Sequence, residues 1–229
     1  MNVIPQGIKD GFVRAVGPIA RALIRGHVSP NTLTTTGLVV VLGAALAFAV
    51  GEVRLGGFLL LFSGLFDILD GQVARQGGMA TAFGAFYDST LDRVGEAALF
   101  GGIALFFLHG GVRPERETLA VALAITALVA SLLVSYTRAR AEGLGLECRV
   151  GIAARAERVL VLGLPTVIVG PGRNGELLFW ITAFLALVTT VTVVQRVLHV
   201  ARISRGARGP VPRQRDTLPG HAPALRKGS

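Results

Sequence analysis

Six apolar runs recur along the 229-residue chain, at about 33–50, 55–73, 84–108, 119–136, 159–171 and 177–200. A helix needs roughly 20 such residues to cross a bilayer. The run at 159–171 is the shortest, and it holds Pro165. Composition agrees with burial in lipid: 52% of residues are hydrophobic, only 16% are charged, and the mean hydropathy is +0.61. A soluble domain carries about 25% charged residues. A water-soluble fold of this length could not cover its surface with so few. Disorder is excluded for most of the chain, since it requires low hydrophobicity and high charge. A single cysteine, Cys148, excludes a disulfide framework and a cysteine-based zinc site. The expected architecture is an all-α integral membrane protein with six transmembrane helices.

The first 30 residues have no apolar core followed by a cleavage site, so no signal peptide is expected. Ile8, Phe12, Ile19, Leu23 and Ile24 are interleaved with Lys9, Arg14, Arg21 and Arg25. That pattern predicts an amphipathic helix lying in the membrane interface over 1–28. A six-helix transmembrane domain over 29–203 follows, and the stretch 204–229, rich in Pro, Gly and Arg, reads as a disordered basic tail. With six spans, nineteen of the 23 Lys and Arg fall on the side of the two termini. Only Arg54, Arg113, Arg116 and Arg173 fall on the other. The positive-inside rule then places both termini in the cytoplasm, with the protein in the cell membrane. The formal charge of +9 is read as facing anionic lipid rather than nucleic acid.

The second and third runs contain carboxylates. Asp67, Asp70, Asp88 and Asp92 are four of the six aspartates and lie within one window of 26 residues. Each charge inside a membrane helix costs roughly 2.5–3.5 kcal/mol even on the lenient insertion scale. They could pair with Arg75 and Arg93 or sit at helix ends in water. Their spacing favours a site instead. Asp67 and Asp70 are i, i+3 and Asp88 and Asp92 are i, i+4, so each pair shares a helical face. Two antiparallel helices can bring all four together. Oxygen ligands without His or Cys select Mg²⁺, Mn²⁺ or Ca²⁺ over zinc, and four carboxylates suffice for two ions. Such two-metal sites bind phosphate oxygens. Gly71, Ala74 and Gly84 lie on the same faces, either as a groove beside the metals or as ordinary small-residue packing. Arg75 is a fixed positive charge suited to a phosphate.

Written out, the segment is Asp67-x2-Asp70-Gly71-x2-Ala74-Arg75-x8-Gly84-x3-Asp88-x3-Asp92. It resembles in full the signature of the CDP-alcohol phosphotransferase family, whose six spans follow an interfacial helix. The resemblance implies a Mg²⁺-dependent enzyme with two ions, Mn²⁺ being an alternative. Asp67, Asp70 and Asp88 would be metal ligands, and Asp92 would complete the second site and act as general base. Gly71, Ala74 and Arg75 would hold the cytidine nucleotide and its diphosphate, with Thr81 contacting the nucleotide. The Ser29-Pro30-Asn31-Thr32-Leu33-Thr34 stretch also resembles the family, where the start of the first span contacts the donor. Asn31, Thr32, Leu33 and Thr34 would therefore bind CDP-diacylglycerol. By itself the stretch is a capped helix start.

Further along stand Ser135-Tyr136-Thr137-Arg138-Ala139-Arg140-Ala141-Glu142, then Arg155-Ala156-Glu157-Arg158, then Gln195-Arg196. Positive-inside anchoring would account for many of these charges. The pattern also resembles one branch of the family, the actinobacterial phosphatidylinositol phosphate synthases. That resemblance implies that Arg138, Arg158 and Arg196, with Arg155 nearby, bind the phosphate of a small phosphorylated polyol. Arg138 stands where the branch has lysine, and Ala154 and Ala156 replace a glutamate and a proline. Inositol 1-phosphate is the expected acceptor, with glycerol 3-phosphate, inositol or serine as alternatives. The product would be a phospholipid, and the family implies a homodimer. A divalent-cation transporter is the rival from another class. It would spread polar groups along a path through several spans, whereas here the acids sit on two.

Overall fold

In a computed structural model, residues 6–148, 150–152 and 155–206 are described. They form seven α-helices: α1 (Gln6–Arg25), α2 (Pro30–Ala49), α3 (Val53–Gln76), α4 (Ala82–Phe106), α5 (Glu117–Glu142), α6 (Arg155–Val169) and α7 (Glu176–Gly206). There is no strand among the described residues. Local chemistry starts the helices that matter for the site. Ser29 caps α2 by accepting the Thr32 N–H at 3.1 Å, and Pro30 fits the first turn, where its missing donor costs nothing. Thr81 caps α4 by accepting the Gly84 N–H at 2.9 Å. The α3–α4 turn passes through Gly78 at φ +64°, a left-handed position that suits glycine.

The packing runs α2 against α3 and α4, α3 against α6, α4 against α5, and α5 against α7. Small residues let backbones approach. A Cβ at Gly102 of α4 would collide with the Ala45 carbonyl oxygen of α2, and one at Gly57 of α3 would collide with Thr166 of α6. Phe48, Leu60, Ile103, Phe107, Leu162 and Leu178 fill the core between these contacts. Buried hydroxyls on Thr166, Thr182 and Thr189 donate back to carbonyls of the preceding turn, which satisfies them without water.

Among the described residues, four stretches are long and apolar enough to cross a membrane by length and composition: Pro30–Ala49, Ala82–Gly111, Pro114–Glu142 and Arg173–Arg205. Six were expected. The 24-residue α3 is long enough, but its last turns carry Asp67, Asp70 and Arg75. The 15-residue α6 reaches about 22 Å at 1.5 Å per residue, against a hydrocarbon core of about 30 Å.

Helix α1 lies against α3, with Val16 and Ala20 buried beside Leu33, Leu69 and Val73. Leu23 and Ile24 pack on this cluster, but Ile19 faces outward, so the apolar face is narrower than the sequence suggested. The expected tail at 204–229 falls outside the described residues beyond 206, and up to there α7 continues as helix.

Candidate active site

The α3–α4 hairpin sets Asp67 and Asp70 opposite Asp88, and the three carboxylates lie within electrostatic reach of one another. Asp70 is 7% exposed and accepts the Thr34 hydroxyl at 2.9 Å. The start of α2 therefore braces the second aspartate of the signature. Thr34 is engaged by that carboxylate, and its neighbour Leu33 is buried among apolar side chains. Asn31 and Thr81 face the same glycine. A Cβ on Gly84 would sit 3.3 Å from Asn31 Oδ1 and 3.1 Å from Thr81 Oγ1, so a hydrogen there lets the starts of α2 and α4 abut. Thr32 is exposed and its hydroxyl lies 2.8 Å from that of Ser29. A Cβ on Gly71 would lie 3.1 and 3.2 Å from the Arg75 guanidinium nitrogens, so Arg75 lies over the missing side chain. Ala74, half-buried, is on the same helix between them. Tyr87 of α4 was not singled out from sequence. Its hydroxyl lies 3.0 Å from that of Thr35 and ties the two helix starts together.

Arg155, at the first position of α6, reaches across to this hairpin. Its guanidinium pairs with Asp92 and stands 3.3 Å from Asp67. Among the described residues, no three acidic, histidine or cysteine side chains stand close enough together to hold a metal ion as they are placed. The donor set nevertheless fits a hard divalent cation. It consists of carboxylate oxygens alone, and the space between Asp67 and Asp92 already receives a positive charge, that of Arg155. The aspartates were expected to form a single four-carboxylate cluster. The structure instead divides them, because a guanidinium enters between α3 and α4 from a third helix.

The expected acceptor arginines come from three helices, and each is engaged. Arg138 donates to Glu142 at 2.8 Å on the exposed end of α5. Arg158 is buried and donates to Glu96. Arg196 donates to the Val150 carbonyl at 2.9 Å and to the Val134 carbonyl, which clamps the loop after α5 onto α7. His199 adds a contact of 3.2 Å to the Glu147 carbonyl. Arg196 lies within electrostatic reach of Arg138 and Arg158, so arginines of α5, α6 and α7 do lie in one region. Arg155 stands apart, at the aspartates. Between Glu96, Arg155 and Arg158 lies a cavity of about 30 Å³ closed by Leu60, Leu99 and Leu162. It is large enough for water.

Glu96 was missed from sequence. The signal was present: it follows Asp92 by four residues, as Asp92 follows Asp88, so the three share one face of α4.

The CDP-alcohol phosphatidyltransferase family pattern matches residues 27–194. A phosphatidylinositol phosphate synthase of Cutibacterium acnes is 40% identical over 205 residues, covering 86% of this chain and 97% of that protein. The phosphatidylinositol phosphate synthase of Mycobacterium tuberculosis, solved with CDP-DAG bound, superposes with a TM-score of 0.72 at 32% identity. The match covers 82% of this chain and 94% of that one. The same enzyme solved with manganese and citrate gives 0.71 at 32% identity, over 80% and 88%.

Proposed function

The chain belongs to the CDP-alcohol phosphatidyltransferase family, and on that premise we propose that it moves the phosphatidyl group of CDP-diacylglycerol to an inositol phosphate and releases CMP. The observation that carries the reading is the α3–α4 hairpin itself. It faces Asp67 and Asp70 toward Asp88, leaves Gly71 and Gly84 without side chains, and lays Arg75 over Gly71. Those are features a diphosphate needs: acidic oxygens for its counter-ions and a guanidinium for its charge.

Within that frame Asp92 takes the proton from the acceptor hydroxyl. The hydroxyl oxygen bonds to the phosphorus on the lipid side of the diphosphate. The bond from that phosphorus to the bridging oxygen breaks, and CMP leaves with the electron pair. Asp67, Asp70, Asp88 and Asp92 would hold divalent ions, two of them by this reading and Mg²⁺ or Mn²⁺ by their ligands, which supply positive charge opposite the diphosphate when bound. Asn31, Thr32, Thr34 and Thr81 bound the nucleotide end at the starts of α2 and α4. Leu33 takes part through its backbone.

Arg138, Arg158 and Arg196 receive the acceptor phosphate, which displaces Glu142 from Arg138 and carbonyls from Arg196 while Arg158 stays paired with Glu96. Arg155 assists once it leaves Asp67 and Asp92. The acceptor is inositol 1-phosphate and the product is phosphatidylinositol phosphate. The chain spans the cell membrane six times, with α3 and α6 completed by their neighbours. Both termini and the active site face the cytoplasm, α1 lies in the interface, and 29–203 forms the catalytic unit of a homodimer. The stretch 204–229 is a cytoplasmic tail.

CMP release from CDP-diacylglycerol by the purified protein tests the reading, with inositol 1-phosphate, glycerol 3-phosphate, free inositol and serine offered in turn. The expected result is strong preference for inositol 1-phosphate. Equal use of free inositol would overturn the assignment of the acceptor, and no CMP release with any acceptor would overturn the reaction.

A further inference from the structure

Glu96 carries a third acidic position on the α4 face of Asp88 and Asp92, and it is buried. One carboxylate oxygen accepts from Arg158, and the other stands 3.4 Å from Arg93 Nε. Arg93 Nη2 stands 3.3 Å from Asp92 Oδ2. Asp92 pairs in turn with Arg155, which reaches Asp67. Charges of alternating sign thus run Asp67, Arg155, Asp92, Arg93, Glu96, Arg158 from α3 through α4 to α6, with as many positive as negative. Such a chain is not there for stability alone. The cost of desolvating buried ions commonly equals or exceeds their attraction. Ionisable groups inside a membrane bundle mark functional paths by default.

We infer that Glu96 is a positioning residue for the acceptor: it holds the Arg158 guanidinium in the plane and place from which it meets the acceptor phosphate. The inference rests on the reading of Arg158 given above. A guanidinium is a rigid planar fork of donors, so a carboxylate gripping one edge sets the direction of the others. Arg155 shows what happens without such a grip. One turn earlier on the same helix, it is drawn across to Asp67 and Asp92. Glu96 gives Arg158 a carboxylate oxygen one turn beyond Asp92, its other oxygen facing Arg93. One arginine is thereby kept apart from the acids that would hold metal.

The test is steady-state kinetics on purified Glu96→Gln, Glu96→Asp, Arg158→Met and the double variant Glu96→Gln/Arg158→Met, alongside Tm in detergent. Glu96→Gln should raise the acceptor KM about tenfold, the scale of one charged hydrogen bond, with the CDP-diacylglycerol KM nearly unchanged. Glu96→Asp keeps the charge on a shorter stem and should fall between Gln and wild type. In the Arg158→Met background, adding Glu96→Gln should raise the acceptor KM no further, because the two act through one guanidinium. The double variant buries no unpaired charge between them, so it also answers the case in which Glu96→Gln alone fails to fold. An acceptor KM at the wild-type value in both Glu96 variants, with only Tm lowered, overturns the inference. So does a further rise in the double variant. An unchanged acceptor KM in Arg158→Met overturns the reading of Arg158 instead, whatever Glu96 does.

Discussion

The aspartate side, which we assign to the donor, and the arginine side, which we assign to the acceptor, are built from charged residues in opposite ways. The donor side places carboxylates from one hairpin, Asp67 to Asp92, on two adjacent helix faces, and braces them with the start of α2 through Thr34 and Asp70. The acceptor side gathers arginines from three helices that are far apart in the chain: Arg138 on α5, Arg158 on α6 and Arg196 on α7. Every one of those arginines already holds a carboxylate or a carbonyl. On the aspartate side Asp67, Asp70 and Asp88 lie within reach of one another, and a single guanidinium from another helix, Arg155, stands between Asp67 and Asp92 where a cation would go. On the arginine side each cation already has its own carboxylate or carbonyl. The difference suggests a donor side that depends on metal and an acceptor side that depends on geometry.

Metal removal should give the largest effect. With EDTA, CMP release should disappear, and Mg²⁺ or Mn²⁺ in excess should restore it. Full turnover in chelator would remove the contrast at its root. Next comes Asp92→Asn, which keeps the shape and removes the proton-accepting charge. Turnover should fall by at least about 10²-fold, while CDP-diacylglycerol binding, read by titration, should suffer less. Wild-type turnover would place the base elsewhere.

The acceptor side should answer differently. Truncating Arg138, Arg158 or Arg196 should raise the acceptor KM about ten- to a hundredfold, the scale of roughly 1.5–3 kcal/mol for a charged hydrogen bond, and leave the donor KM nearly unchanged. Arg113, 3.8 Å from Glu176, and Arg173 lie at the other end of the bundle and serve as controls. Their truncation should move neither constant, since exposed ion pairs are worth about 1 kcal/mol or less. If the controls matter as much as the three arginines, anchoring explains all of them. The finest effect concerns the brace. Thr34→Val removes the hydrogen bond to Asp70 and should raise the metal concentration needed for half activity about tenfold, as loss of an outer-shell partner does. A Thr34→Ser variant should stay near wild type.

The donor side was legible because its geometry is helical arithmetic. Spacings of three and four residues put Asp67 with Asp70, and Asp88 with Asp92, on shared faces, and Gly77 and Gly78 mark the turn between them. Glu96 obeys the same arithmetic. Its burial against Arg158 of α6 is a fact of packing that spacing does not give. The span count was less legible. Hydropathy alone marks 159–171 as a membrane segment, yet α6 is short and α3 is charged, and only their packing against one another accounts for both. The acceptor side was legible in residue type and not in arrangement.

What the sequence by itself determined is therefore the helical membrane architecture, the hairpin that carries the four aspartates, and the oxygen-only chemistry they present. Each follows from composition or from spacing within a few turns of one helix, where geometry is the same in any surroundings. What only the tertiary structure decided is how the charges are shared. Arg155 lies between Asp67 and Asp92, Glu96 joins Arg93 to Arg158, and Arg196 is committed to two carbonyls from elsewhere in the chain. An ion's partner inside a bundle is whichever opposite charge packing brings within reach, and residues 62 apart in sequence, such as Glu96 and Arg158, meet only when the whole fold has closed.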